Sequence, residues 1–198
     1  MISAGRVSDI RWADDRWIFL DIGFSSRSPT CGLLFGNDLP QCVRFGEAKQ
    51  RILERIQSSS TGVELVIEAP LSICFDSKGN PKGRKIEREG NKHRYWYENL
   101  GCAVMIAAMY LVRGIHDANV GCTVRLFEGF VSFKDRSSPS DHVNDVRWLR
   151  DVVRDPQKFC GSILTSDQLK SDPADVLASA FCVAGIDCGV PVVIKRSV

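Results

Sequence analysis

The most constraining feature of the chain is the segment RWIFLDIG, residues 16–23, in which a single carboxylate interrupts a nearly continuous apolar run. Aromatic and β-branched residues in such a run are typical of a strand that is buried on both faces and lies in the middle of a sheet. Burying the Asp21 carboxylate without a partner would be costly or would force it to take a proton. We therefore expect a central strand with a cation or a proton beside Asp21.

A second buried strand ends in the same way. The apolar residues 63–67 are followed by Glu68, and Pro70 prevents the strand from continuing. If this strand lies beside the first, both carboxylates reach the same end of the sheet and repel each other, so one must take a proton or both must bind a cation. Oxygen ligands of this kind suit Mg²⁺ or Mn²⁺. Glu68 alone could equally be a strand-end acid paired with a lysine or an arginine.

The order of the predicted elements defines the fold class. Five strands are predicted at residues 16–23, 31–35, 41–45, 63–68 and 122–130, and residues 190–194 are a further candidate strand. Helices are predicted at residues 47–57, 91–113, 143–153 and 173–186. The first three strands are joined by short turns and form an antiparallel meander, and the fourth is expected beside the first. This order predicts an α/β fold with a five-stranded mixed sheet and helices on both faces.

Length, charge and cysteine content narrow the class of protein. A chain of 198 residues suits one domain with a substantial core, so we predict a single domain over residues 1–198. The N-terminus lacks the apolar core of a signal peptide, and the longest apolar run, residues 102–112, is too short to span a bilayer. No CxxC pair occurs among the eight cysteines, which is typical of free thiols in a reducing cytosol. We expect a cytoplasmic protein with no membrane role.

A pair of acids opens the last predicted helix, in the segment SDPADVLASA. Asp172 and Asp175 are three residues apart, so on a helix they share a face and could complete a metal site. Each also has a structural explanation. Asp172 before Pro173 is a typical N-cap, and the helix dipole favours an acid in the first turn. Capping and metal binding are not mutually exclusive.

The segments DIG, VIEAPLS and DPADVLASA together resemble the RNase H-like nuclease superfamily, especially its RuvC-type Holliday junction resolvase branch and related predicted nucleases. The resemblance implies an RNase H-like fold. It also implies that the catalytic, metal-binding carboxylates are Asp21, Glu68, Asp172 and Asp175. Glu128, in the fifth strand, matches a position where some relatives carry a further acid. Residues 71–99 and 134–171 depart from this pattern and are predicted to be insertions.

The first of these insertions contains a basic segment followed by aromatic residues. Between residues 76 and 94, seven lysines and arginines and three acids give a net charge of +4. Cations together with stacking rings are what single-stranded or distorted nucleic acid needs. The predicted nucleic-acid contacts are Lys82, Arg84, Lys85, Arg88, Lys92, Arg94 and Trp96. The alternative is a solvated loop whose aromatic residues anchor the following helix.

These features predict a nuclease that hydrolyses phosphodiester bonds with Mg²⁺ or Mn²⁺ as cofactor. The resemblance favours DNA over RNA as the partner, including branched or structured DNA, and implies a homodimer, although no sequence feature marks an interface. One alternative is a nucleic-acid-binding protein of the same fold with a degenerate site. Others are a phosphotransferase of the actin-like fold, which the chain length and the lack of an internal repeat disfavour, and a structural or regulatory protein.

Overall fold

The computed structural model describes residues 1–98, 100–133 and 141–196, which form thirteen strands and four α-helices. In chain order the strands are β1 (Ile2–Ala4), β2 (Trp17–Asp21), β3 (Cys31–Phe35), β4 (Gln41–Val43), β5 (Val63–Glu68), β6 (Ser72–Phe75), β7 (Pro81–Lys82), β8 (Arg88–Glu89), β9 (Lys92–His93), β10 (Val124–Phe130), β11 (Ile163–Leu164), β12 (Val176–Ser179) and β13 (Val193–Lys195). The helices are α1 (Phe45–Ser58), α2 (Leu100–Asp117), α3 (His142–Arg154) and α4 (Ser166–Leu169).

A mixed sheet of eight strands forms the centre of the protein, in the order β11-β13-β10-β5-β2-β3-β4 with β1 paired to β10. Strand β2 runs antiparallel to β3 and parallel to β5, and β5 runs parallel to β10. The α/β class, the central position of β2 and its pairing with β5 are confirmed. The predicted number of five strands is wrong, because β1, β13 and β11 extend the sheet beyond β10.

Helices pack on both faces of this sheet, as predicted. On one face, Val146 and Leu149 of α3 contact the buried side chain of Phe19. On the other face, Ile52 of α1 and Leu111 of α2 belong to the larger apolar cluster. Each fully buried aliphatic or aromatic side chain stabilises the fold by about 1.5–3 kcal/mol. All five residues of β2 are buried, as its sequence predicts.

Two predicted helices differ from those in the structure. The helix expected at residues 91–113 begins at Leu100 and ends at Asp117. Residues 88–93 instead form the β8–β9 hairpin, which fixes the chain before α2 in an extended conformation. The helix expected at residues 173–186 is wrong. Strand β12 there pairs antiparallel with β6, so its backbone hydrogen bonds are made across strands, and a short 3₁₀ helix, Ala180–Ala184, follows.

The two predicted insertions have different structures. Residues 71–98 contribute β6 and β7, which form a second, three-stranded sheet with β12, and the β8–β9 hairpin. The other insertion contains α3, so this part of it packs on the main sheet and belongs to the core. Residue 99 and residues 134–140 of these insertions lie outside the described residues.

Helix α2 is long and apolar enough to cross a membrane by length and composition alone. Its 18 residues have a mean hydropathy of 1.3, and 33% of them are buried in this fold. A core helix of a globular protein meets the same criterion. The expectation of no membrane role therefore stays a prediction, as does the cytoplasmic location.

Candidate metal centre and cleft

Asp21 and Glu68 lie side by side at the ends of two neighbouring parallel strands. Asp21 pairs in register with Glu68, and Glu68 pairs with Gly129 of β10. Adjacent strands are about 4.8 Å apart, and residues in register point to the same face. That face is the one covered by α3, because Trp17 and Phe19, at alternate positions before Asp21, pack in the α3 cluster. The sequence-based expectation that these two carboxylates share one end of the sheet is confirmed.

The first turn of α3 approaches this end of the sheet unusually closely. The helix begins where Asp141 caps it by accepting hydrogen bonds from the backbone amides of Val143 and Asn144. A Cβ atom on Gly32 would lie only 2.0 Å from the carbonyl oxygen of His142. Gly32 of β3 pairs with Asp21 of β2. Because Gly32 has no side chain, α3 can pack directly beside the Asp21 carboxylate.

His142 and Asp145 thereby join Asp21 in a compact group of potential metal ligands. One ligand atom from each residue lies within 4.8 Å of the other two. His142 Nδ1 is 2.8 Å from Asp21 Oδ1. This nitrogen is buried, yet it makes no hydrogen bond of acceptable geometry within the described part of the chain. Asp21 and Asp145 are 2% and 5% exposed, so two buried carboxylates converge with a partly exposed imidazole.

Sequence reasoning missed His142 and Asp145, although a signal was present. The helical spacing of residues 143–153 predicts a helix there, but the sequence analysis assigned no ligand to it. Positions i and i+3 on a helix share a face, and Asp145 directly precedes Val146 on the apolar face that packs on the sheet. A polar pair at the start of such a stripe lies near one end of the sheet, and the packing of α3 makes this the end that carries Asp21.

Asp172 and Asp175 are placed elsewhere. They lie in a turn before β12 rather than on a helix. Both oxygens of Asp175 accept hydrogen bonds from Lys82 Nζ, at 2.8 and 3.0 Å, and the backbone amides of Ser171 and Asp172 also donate to this carboxylate. The hydrogen bond from Lys82 holds the pKa of Asp175 below its ordinary value. Neither acid belongs to the Asp21 group or lines the cleft beside it.

Glu128 is also separated from Asp21, and the expectation that it joins the metal site is corrected here. Gly129 is the β10 residue that pairs with Glu68, so Glu128 points to the opposite face of the sheet. There its Oε2 accepts hydrogen bonds from the backbone amide of Leu71 and from Arg84 Nη1, at 2.9 and 2.7 Å.

Arg84 is fully buried and cannot contact nucleic acid as the sequence suggested. Its guanidinium donates to Glu87 Oε1 through two nitrogens, to Glu128 and to Ser72 Oγ. Burial opposes the charge, but the adjacent carboxylates of Glu128 and Glu87 hold the pKa of Arg84 above its ordinary value. Arg84 therefore stays charged and links β10 of the main sheet to β6 of the small sheet.

The other cations predicted to contact nucleic acid fall into two groups. Lys82 is held by Asp175. Four others make no ion pair with any described residue, namely Lys85, Arg88, Lys92 and Arg94. Their side chains belong to exposed residues, so they remain available to an anionic partner.

A cleft of about 910 Å³ brings the acids and part of this basic segment together. The Asp21 group and Glu68 line this cleft together with Lys92, Arg94 and aromatic residues. Tyr95 stacks between His93 and Tyr97, with ring centroids 4.8 and 5.5 Å away.

Trp96 also lines the cleft, but part of its surface packs on an apolar cluster that includes Ile73 and Met105. Its role therefore includes the anchoring function that the sequence left open. Its indole nitrogen is buried and has no hydrogen-bond partner among the described residues.

Comparisons of the chain with family models, curated proteins and solved structures found no significant match.

Proposed function

We propose that this protein is a metal-dependent nuclease of RNase H-like fold that hydrolyses phosphodiester bonds in the cleft beside Asp21. The observation that carries the proposal is the convergence of Asp21, His142 and Asp145 within 4.8 Å of one another. This group lines a cleft that is also lined by Lys92 and Arg94. A cation site in the same cleft as unpaired basic residues suits a phosphodiester, which carries negative charge at the bond to be broken.

The arrangement of the inner strands supports the fold assignment. The antiparallel meander β2–β3–β4 is followed by β5 parallel to β2 and by β10 parallel to β5. This is the order expected from the family resemblance, with helices on both faces. The remaining strands of the sheet, β1, β13 and β11, extend it beyond β10 and are not part of this order.

The donor set supports the choice of cation. The carboxylates of Asp21, Glu68 and Asp145 suit Mg²⁺ and Mn²⁺, whereas an imidazole nitrogen such as that of His142 suits transition metals. Mn²⁺ fits both kinds of donor, so we expect Mn²⁺ to support activity at least as well as Mg²⁺. When bound, such an ion would lower the pKa of an attacking water and stabilise the leaving oxygen.

Residues of the protein would hold the metal ion in place and would bind the phosphates of the substrate. Asp21, buried in the central strand, and His142, held close by the contact of α3 with Gly32, form a rigid set because both belong to regular elements. Lys92 and Arg94, which line the same cleft, would bind phosphates. The stacked rings beside them suit unpaired bases of any sequence, so we expect cleavage to depend little on base sequence.

Cleavage assays with Asp21→Asn test this proposal. Single-stranded, duplex and branched DNA and RNA are incubated with wild type in Mg²⁺, in Mn²⁺ and in EDTA. We expect metal-dependent cleavage by wild type and none by Asp21→Asn, whose side chain keeps its size but loses its charge. Asp9→Asn, which removes an acid outside the cleft, is the matched control and should cleave normally.

The same experiment separates the alternatives. A nucleic-acid-binding protein with a degenerate site would bind the oligonucleotides but cleave none of them with either metal. A structural protein would neither bind them nor melt at a higher temperature when Mn²⁺ is added. Either result would contradict the nuclease assignment.

A further inference from the structure

A second, smaller pocket adjoins the cleft. It has a volume of about 350 Å³ and is lined by Gly83, Arg84, Lys85, Arg88, Gly90 and Ser171. None of these described lining residues is an acid. Arg84 is already neutralised by its buried carboxylates, so the free positive charge of the pocket comes from the other two cations, Lys85 and Arg88.

Tyr95 forms the boundary between the two spaces. Its ring lines the cleft, while its hydroxyl accepts a hydrogen bond of 2.7 Å from Arg88 Nη2 in the second pocket. A Cβ atom on Gly83 would lie 2.0 Å from this ring. The ring therefore rests directly on the backbone that lines the pocket and orients the Arg88 guanidinium, which has no carboxylate partner among the described residues.

Local rigidity distinguishes this pocket from a solvated surface. The segment that carries it is fixed at one end by the buried Arg84 and along its length by the β8–β9 hairpin. Ser171 is held on the other side because its backbone amide donates to Asp175. Arg88 is already oriented by Tyr95 on this fixed backbone, so it loses little conformational freedom when an anion binds.

We propose that the second pocket is a phosphate-binding subsite that holds the nucleic-acid backbone outside the catalytic cleft. This inference rests on the proposed function, since it assumes that a strand occupies the cleft. A strand that lies in the cleft then continues past Tyr95 and places a phosphodiester between Lys85 and Arg88. The subsite recognises backbone rather than bases, so its contribution is independent of sequence.

The test measures how affinity depends on oligonucleotide length. Binding of single strands of about 4 to about 16 nucleotides, the usual range of single-strand site sizes, is followed by fluorescence anisotropy in EDTA at several salt concentrations. The variant is Lys85→Gln with Arg88→Gln, in which glutamine keeps a donor for the Tyr95 hydroxyl. The matched control is Arg11→Gln with Lys78→Gln, which removes the same charge from exposed residues outside both pockets.

We expect the pocket variant to bind the shortest strands as wild type does and to lose the extra affinity of the longer ones. Its log–log salt slope should fall in magnitude by up to about 1.4, because each phosphate contact on a single strand contributes about 0.7. The control variant should keep the wild-type slope.

Several results would overturn the inference. If the pocket and control variants behave alike while Lys92→Gln with Arg94→Gln weakens binding at every length, the cleft binds nucleic acid and only the subsite is wrong. If wild type binds no oligonucleotide, the subsite and the proposed function both fail. Inorganic phosphate is titrated alone, and if it binds with no gain from strand length, the pocket is a site for free phosphate instead.

Discussion

His142 and Asp145 at the start of α3 have the same spacing as Asp172 and Asp175 before β12, but the surroundings of the two pairs differ. The first pair lies beside the buried Asp21, and the His142 Nδ1 atom makes no hydrogen bond among the described residues. In the second pair, Asp175 already accepts hydrogen bonds from Lys82 and two backbone amides. A cation could reach Asp175 only by displacing those donors.

The comparison shows that spacing alone does not identify a metal site. The α3 pair is followed by apolar residues that pack on the main sheet. This packing places His142 and Asp145 beside Asp21. The residues after Asp175 pair as a strand with β6 instead. Which pair becomes a site is decided by the surface on which the following residues pack.

The largest effect on stability is expected at Arg84, which links β10 of the main sheet to β6 of the small sheet that contains β12. Arg84→Met should lower the free energy of unfolding by about 3–5 kcal/mol, because it leaves the carboxylates of Glu87 and Glu128 buried without their partner. Arg88→Met is the matched control at an exposed arginine and should change stability by less than about 0.5 kcal/mol. Urea denaturation measures both. Equal losses of unfolding free energy in the two variants would mean that the buried Arg84 network does not hold the two sheets together.

Asp145→Asn and Asp175→Asn compare the two acids directly. Asp145→Asn should lower the rate of cleavage in Mn²⁺ at least about 100-fold, because even groups that only orient metal ligands contribute about 10–100-fold. Asp175→Asn should leave the rate unchanged, since its carboxylate lies outside the cleft. Cleavage is measured with both proteins shown to be folded by circular dichroism. A reversed order of the two activities would restore the role first predicted for Asp175.

The histidine is expected to have a smaller effect than the acid. His142→Ala should weaken Mn²⁺ binding by about 10–100-fold, the range found when a metal site loses a supporting group. His116→Ala is the control, because that exposed histidine lies beside Asp117 at the end of α2. Calorimetric titration with Mn²⁺ measures the affinity. Unchanged affinity in His142→Ala would leave the imidazole outside the ligand set.

The smallest effect concerns the pH dependence of the Lys82–Asp175 pair. Because the pKa of Asp175 is lowered by folding, its ionised form contributes stability at pH values above the ordinary 3.8. That contribution is lost as the pH falls through the folded-state pKa. The melting temperature of Asp175→Asn should thus lie below that of wild type near neutral pH, and the two should converge in acid. A difference that does not change with pH would show that the charge of Asp175 is irrelevant.

The parts of the fold that sequence reasoning predicted are those with long apolar runs. Strands β2 and β5 have buried residues at nearly every position, and their pairing followed from the order of the elements. The strands of the main sheet that were missed, β1 and β11, have three and two residues. Such short segments carry too little periodicity to be distinguished from loops, because their formation depends on the neighbouring strand.

The residues of the candidate site also fall into those that could be predicted from sequence and those that could not. Asp21 and Glu68 could be found because each interrupts a buried strand. His142 and Asp145 could not be assigned without knowing that α3 packs on the face that Asp21 shares. Asp172 looked like a helix start because Pro173 follows it, but pairing of β12 with β6 overrides that local preference. Arg84 and Arg88 could not be told apart in sequence, because the burial of Arg84 depends on Glu128, 44 residues away.

The most direct test of the proposed metal centre is an anomalous diffraction map from crystals grown with Mn²⁺. We expect a peak about 2.0–2.2 Å from oxygens of Asp21 and Asp145 and from a nitrogen of His142, the distances typical of small divalent ions. Glu68 is expected to contact the same ion directly or through water. A map with no peak beside Asp21, or with its peak at Asp172 and Asp175 instead, would show that Asp21, His142 and Asp145 do not form a metal site.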